Sequence, residues 1–249
     1  MEKLTGAKAG LHNLFKPLSQ DVKMEELRKI FADKLLAWHQ KNAIKFPWRE
    51  TRDTYKILLA EILLRKTTRK QVKEIFESFI KKYPSMEMLA SANIRELERV
   101  IKPLGMQRKR AHLIIRLAKV IMEKYGGEIP RDRNSLIKLP GIGPYSANAV
   151  LCLAYDEQLP LVDTNVIRVI ERVFQVKSKK ARARTDPMIW SFMENLIPNG
   201  KAREFNLAVL DFANLICVPK VPKCPICPVH NICLYSSKTK QSDLERYHD

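Results

Sequence analysis

The chain has 249 residues, 45% of them hydrophobic, which suits one large globular domain or two small ones and excludes a disordered tail. Its 45 Lys and Arg outnumber 27 Asp and Glu, for a formal charge of +18. That excess points to a polyanionic partner, nucleic acid ahead of an anionic membrane surface, because each Lys or Arg beside a phosphate releases condensed counterions. A basic surface adapted to heat is the plainer alternative. No apolar run reaches the ~18 residues of a spanning helix, and the first twenty residues lack the apolar core of a signal peptide. A soluble intracellular protein, cytoplasmic or nucleoid-associated, is expected, with no membrane partner.

Residues 1–20 carry no clear pattern and are expected to be loosely ordered. From Met24, the positions Leu27, Phe31, Leu35 and Trp38 recur at helical spacing and predict an amphipathic helix over 22–41. Phe46-Pro-Trp-Arg49 breaks it, and Asp53 or Thr54 can cap the next helix. Tyr55 to Thr67 is strongly apolar, yet Glu61 stands inside Leu58-Leu-Ala-Glu-Ile-Leu-Leu64. Burying an unpaired carboxylate is costly. Glu61 therefore either serves a site or lies on a narrow stripe paired with Arg65 one turn on. Helices follow over 69–83, 93–101 and 107–125, the last closed by Gly126-Gly127. Pro103-Leu-Gly-Met-Gln107 is the loop between the second and third, leading into Arg108-Lys-Arg110.

A short helix over Arg133 to Lys138 is stopped by Pro140, and Leu139-Pro-Gly-Ile-Gly-Pro-Tyr-Ser-Ala147 reads as helix, tight hairpin and second helix. Gly141 and Gly143 permit backbone angles that a Cβ disfavours, and Pro144 suits the first helical position. Such a hairpin exposes N–H groups at a helix N-terminus, an anion site, although helix–helix turns also need glycines for steric reasons alone. Asp163, in Leu161-Val-Asp-Thr-Asn165, is placed to start the next helix, whose Val166, Ile167, Val169, Ile170 and Val173 are in register. Lys177 to Arg184 is a basic run, read as a solvated loop. Two more helices are expected near 187–197 and 201–216. No alternating strand appears, and the class is all-α.

Cys152 lies on the apolar helix after the hairpin and reads as a buried small hydrophobe. The other four cysteines, Cys217, Cys224, Cys227 and Cys233, fall within seventeen residues with 6, 2 and 5 residues between them. Four thiolates so close can wrap one metal centre, either a structural zinc or an iron–sulfur cubane. Zinc ribbons usually present two close pairs, and here only Cys224 and Cys227 form one. The wider spacing fits a larger object, and a cluster ligated by all four has no open iron for substrate.

The hairpin Leu139–Gly143, the acid in Val162-Asp-Thr-Asn165 and the 6-2-5 cysteine pattern together resemble the helix-hairpin-helix DNA glycosylases of the endonuclease III superfamily, from about Phe46 to Cys233. The resemblance implies two helical domains with a DNA cleft between them. One is a six-helix bundle with the hairpin, over 49–158. The other joins an N-terminal segment, 1–48, to a C-terminal part, 159–249, and carries a [4Fe–4S] cluster on Cys217, Cys224, Cys227 and Cys233. Bifunctional members carry a lysine two residues after the second hairpin glycine, which forms a Schiff base with the sugar. Here Tyr145 stands there, so little or no lyase activity is expected. MutY-type adenine glycosylases share Phe46-Pro-Trp-Arg49 and Glu61, and carry a C-terminal domain for 8-oxoguanine. This chain ends sixteen residues after Cys233, so that domain is expected to be missing. Tyr145 with Ala60-Glu-Ile-Leu-Leu-Arg-Lys-Thr-Thr68 looks most like the Mig-type thymine-DNA mismatch glycosylases.

The resemblance then implies a monomer acting on double-stranded DNA with a mismatched or damaged base, and removal of thymine or uracil opposite guanine. Asp163 is expected to stabilise the oxocarbenium-like sugar and help position water, with a plain helix cap as the alternative. Glu61 is expected to hydrogen-bond the base or organise water, and Tyr145 to line the pocket near the sugar. Leu139, Gly141 and Gly143 of the hairpin would hold a phosphate. The Leu104–Gln107 loop, facing Arg65 across the cleft, would fill the vacated space and contact the orphan guanine, with Gln107 and Arg65 as DNA contacts. The rivals are an adenine glycosylase, a bifunctional enzyme for damaged pyrimidines and a non-catalytic DNA-docking module.

Overall fold

The computed structural model describes residues 20–236, so the expectation for residues 1–19 lies outside it. All regular structure among the described residues is helical: eleven α-helices and several 3-10 turns. No helix there is long and apolar enough to cross a membrane.

Helix α1 (Gln20–Asn42) lays Phe31, Ala32, Leu35 and Leu36 into the core against α11 (Ala202–Leu215), at the opposite end of the chain. Phe31 meets Phe205 of α11 and Phe174 of α9 (Thr164–Phe174) edge-on, with ring centroids 6.2 and 5.1 Å apart. Such aromatic pairs add about 0.5–1.5 kcal/mol each beyond the area they bury. These contacts join residues more than 140 positions apart, which hydrophobic periodicity marks as buried but cannot pair.

The middle of the chain packs locally. Helix α2 (Thr54–Leu63) lies on α8 (Pro144–Tyr155), and α4 (Met86–Ala90) and α5 (Ile94–Ile101) lie on α6 (Gln107–Tyr125). Helix α7 (Arg133–Lys138) folds back on α8. Helix α3 (Arg69–Lys82) starts at a capping box, where Thr68 Oγ1 accepts from Gln71 N and the Gln71 side chain accepts from Thr68 N. Helix α10 (Pro187–Glu194) is shorter than the expected 187–197, and α4 was not expected at all. At five residues, α4 is too short to show a helical period.

Three buried polar side chains fix the ground from which the site rises. Arg110 of α6 donates to the carbonyls of Ile62, Leu63 and Arg65 at 2.7, 3.0 and 2.9 Å, and so closes the C-terminal end of α2 just beyond Glu61. Asn206 of α11 accepts from Leu161 N at 2.8 Å and donates to Leu159 O at 3.0 Å. Asn148 of α8 donates to Pro160 O at 2.9 Å. The extended stretch 159–162 is thus pinned from both sides, and Asp163 follows directly.

Candidate active site

Asp163 caps α9. Its Oδ1 accepts from Asn165 N and Val166 N, both at 2.8 Å, and its Oδ2 accepts from Asn165 Nδ2 at 3.0 Å. The cap occupies Oδ1, and Oδ2 keeps lone-pair capacity for a second partner. Asn165 Oδ1 in turn accepts from Arg168 NH1 at 2.9 Å. Arg168 also donates to Cys217 O and Ala213 O, at 2.9 and 2.7 Å. A continuous chain of hydrogen bonds therefore runs from the start of the cysteine loop to the Asp163 carboxylate.

Glu61, on α2, is half-buried, and burial pushes its carboxyl up to about 8. Arg49 pulls it down, Asp163 pushes it further up and Arg69 pulls it down again. Tyr145, in the first turn of α8, is held well above the ordinary phenol value by burial, then by Glu61 and Asp163. The same two arginines act on it in the opposite sense. Glu61, Tyr145 and Asp163 come from three separate helices or their caps, and the structure brings them under one another's electrostatic influence. Arg65 is exposed and is not Glu61's partner: its NH1 donates to Gly141 O at 3.0 Å.

Arg49 and Arg69 are held by a residue that sequence reasoning passed over. Asp211 of α11 is fully buried and accepts from Arg49 NH1 at 2.9 Å on each oxygen. It also accepts from Arg69 NH1 at 3.3 Å, Ile44 N at 3.1 Å and His39 Nε2 at 3.2 Å. The anchor gathers α1, the 3-10 turn Pro47–Arg49, α3 and α11. In that turn Trp48 is buried and Phe46 stacks on it with ring centroids 4.7 Å apart, which turns Arg49 inward. Asp211 stands in Leu207-Ala-Val-Leu-Asp-Phe212, the same sign of a carboxylate in an apolar run that singled out Glu61.

The hairpin is tight for a steric reason. Gly141 has φ +78°, and a Cβ there would sit 2.8 and 2.9 Å from the Leu113 methyls and 3.0 Å from Arg65 NH1. Ile142 N bonds back to Leu139 O at 3.1 Å. Gly143 is the N-cap of α8 without any side-chain cap, so the first N–H groups of that helix have no side-chain acceptor. Beside it opens a cavity of about 860 Å³, lined by Gly143, Tyr145, Val162 and Trp190 and edged by Arg65, Arg133 and Arg184.

One expectation fails. The Leu104–Gln107 loop does not face Arg65 across a cleft, because the two loops are neighbours. Thr67 Oγ1 donates to Leu104 O at 3.3 Å, and Gln71 Nε2 donates to Pro103 O at 3.2 Å. Leu104 is buried, and the tip of the turn is Met106, half exposed with φ +52°. Gln107 follows as the first residue of α6.

Cys217, Cys224, Cys227 and Cys233 form no disulfide with one another and line one small cavity. Arg172 NH1 approaches Cys217 Sγ at 3.6 Å and donates to Val218 O at 2.7 Å. Burial pushes the Cys227 thiol up to about 12, with the other three cysteines adding to it. Among the described residues no three His, Cys, Asp or Glu side chains are grouped to hold a single metal ion.

Residues 59–194, which span Glu61, the hairpin, Tyr145 and Asp163, match the family model described as HhH-GPD superfamily base excision DNA repair protein. The chain belongs to the HhH-GPD superfamily. Within that superfamily it is 44% identical to a thymine/uracil-DNA glycosylase of Pyrobaculum aerophilum over 215 residues, 85% of this chain and 94% of that protein. It is 43% identical to a thymine-DNA glycosylase of Aeropyrum pernix, over 86% of this chain and 95% of that one. Among solved structures, a thermostable thymine-DNA glycosylase superposes with a TM-score of 0.83 at 39% identity, covering 86% of this HhH-GPD chain and 99% of the other.

Proposed function

We propose that this chain is a monofunctional DNA glycosylase that removes thymine or uracil mispaired with guanine and leaves an abasic site. The observation that carries the reading is the convergence of Glu61, Asp163 and Tyr145, with a phenol where the lyase-type members of the superfamily carry an amine. The kinship with thymine/uracil-DNA glycosylases supports the choice of base.

The target base is inaccessible in the stack and must be extruded. The uncapped start of α8 behind Gly141 and Gly143, with Leu139 fixing the turn, holds a backbone phosphate and so sets position without reading sequence. Arg65, Met106 and Gln107 lie on the adjoining loops and contact the strands around the gap. As the C1′–N1 bond breaks, its electron pair leaves with the base and positive charge grows on the sugar. Through Oδ2 the Asp163 carboxylate faces that charge, helps orient the water that adds to C1′ and accepts the proton that the water loses. Glu61, protonated at neutral pH by its raised pKa, donates a hydrogen bond to the departing base. Tyr145 cannot form an imine and offers only an O–H near the sugar.

The enzyme is read as a monomer on double-stranded DNA. Residues 49–158 are read as the hairpin lobe, and 20–48 with 159–236, among the described residues, as the other. The four cysteines suit a [4Fe–4S] cluster: they line one cavity, and only Cys224 and Cys227 make the close pair that a zinc ribbon presents twice. Bound there, a cluster supplies a fixed loop and redox capacity and leaves no open iron for substrate.

A protonated Glu61 also suits proton donation to adenine, which favours a MutY-type activity as second reading. Free-base release from T·G, U·G, A·8-oxoguanine and thymine glycol·A duplexes separates them. Thymine and uracil release supports the proposal, and adenine release contradicts it. Tight binding without release from any duplex returns the chain to a docking module.

A further inference from the structure

We infer that Arg69 reads the carbonyl groups of the extruded pyrimidine and stabilises the negative charge that develops on it as the glycosidic bond breaks. The inference rests on the glycosylase reading above and adds to it the group that selects and helps expel the base.

Arg65, Arg49 and Arg69 differ in what they have left to donate. Arg65 is exposed and spends NH1 on the hairpin carbonyl of Gly141. Arg49 has a side chain only 8% exposed, with NH1 held by both oxygens of Asp211 and by Ile44 O. Arg69 has a side chain 27% exposed, and its one hydrogen bond among the described residues is a long one, NH1 to Asp211 Oδ1 at 3.3 Å. Its Nε and NH2 have no acceptor there, and neither is sealed away as a buried unpaired atom. They therefore remain accessible.

That unspent fork lies within electrostatic reach of Glu61 and Tyr145. Asp211 is already matched by His39, Ile44 N and Arg49, so it tethers Arg69 without exhausting it. Arg69 opens α3, one short loop after α2 ends beyond Glu61, and its charge is felt by Glu61 and by Tyr145. Burial and Arg49 pull its pKa below the ordinary guanidinium value, while Asp211, then Tyr145 on α8 and Asp163 at the cap of α9, act in the opposite sense and favour its charged form. The anionic partner for the sugar and the cationic partner for the base thus come from different elements.

The chemistry suits pyrimidines with two carbonyl groups. A guanidinium only donates, in a planar fork. Thymine and uracil present O2 and O4 as acceptors, whereas cytosine and adenine present an exocyclic amine that would abut those donors. Thymine has no N7 to protonate, so the C1′–N1 electron pair leaves on N1 and spreads to O2 and O4. Donors placed where charge develops are worth about 10²–10³ in rate.

The test is single-turnover release of thymine, uracil and 5-fluorouracil, each opposite guanine, by the wild-type full chain, Arg69→Met and Arg69→Lys. 5-Fluorouracil leaves as the more stable anion and needs the cation least. Arg69→Met is expected to lose about a hundredfold on thymine and markedly less on 5-fluorouracil. The dependence of log rate on leaving-group stability then steepens, Arg69→Lys falls between, and affinity for an abasic-site duplex is unchanged. Equal loss on all three bases, or rates within about twofold of wild type, overturns the inference. Should Arg69→Met not fold, the slope for Arg69→Lys decides by the same criterion. Wild-type protein that releases none of the three bases overturns the glycosylase reading itself, which is a distinct result.

Discussion

Asn165 grips both oxygens of Asp163: its backbone N–H reaches Oδ1 at 2.8 Å and its side-chain amide reaches Oδ2 at 3.0 Å. The cap and the proposed catalyst are one side chain with divided oxygens, so stability and rate should separate on mutation. Asn caps a helix about as well as Asp. Asp163→Asn is expected to melt within a few degrees of wild type while base release falls about a thousandfold. Calorimetry beside single-turnover kinetics checks both; a variant that loses stability and rate in proportion would make Asp163 a cap alone.

Glu61 gives a pH signature. With its folded pKa at about 8, well above the ordinary carboxyl value of 4.5, the folded protein holds a proton that the unfolded chain has released. Stability is unaffected below about pH 4.5, falls as pH rises from there to about 8, and levels off above. Glu61→Gln removes the penalty, so its melting temperature should exceed wild type at pH 8.5 and match it near pH 4. Base release should decline in wild type through about pH 8 and lose that limb in Glu61→Gln. A limb that persists in the variant belongs to another group.

Much of this site was legible because its determinants are local. The Gly141 turn, the Asp163 cap and the cysteine spacing each occupy fewer than twenty residues, and helices over 107–125 and 133–138 fall where the pattern places them. Glu61 was visible as a charge out of place. Asp211 showed the same anomaly, but its partners His39, Arg49 and Arg69 lie 142 to 172 positions away, and only the packing of α1 against α11 and the reach of the two arginines bring them together. Arg110 stands in the basic run Arg108-Lys-Arg110, yet it is buried against the end of α2. Nothing local announces that a guanidinium will be spent on carbonyls.

Tyr145→Lys should convert the chemistry. An amine there would be buried, which lowers its pKa and favours the free base needed for attack on C1′; Arg69 and Arg49 act in the same sense, and Asp163 against it. Strand cleavage without alkali and a borohydride-trapped protein–DNA adduct are expected. A variant that folds and releases base yet never traps would remove position 145 from the sugar.

The cysteine loop makes a prediction about composition and coupling. Purified protein should carry about four irons per chain and be coloured by the cluster's visible absorption, and Cys227→Ser should lose both. Since Cys217 O anchors Arg168, which holds Asn165, the same change should also slow base release while leaving the alkaline limb of Glu61 in place. Zinc in place of iron would overturn the cluster assignment.

The most direct test of hydrolysis at Asp163 is single-turnover cleavage of a labelled T·G duplex, developed with and without alkali, by wild type and Asp163→Asn. The account predicts strand breaks from wild type only after alkali, and almost none from the variant at equal DNA affinity. Breaks that appear without alkali, or an undiminished rate in Asp163→Asn, would contradict it.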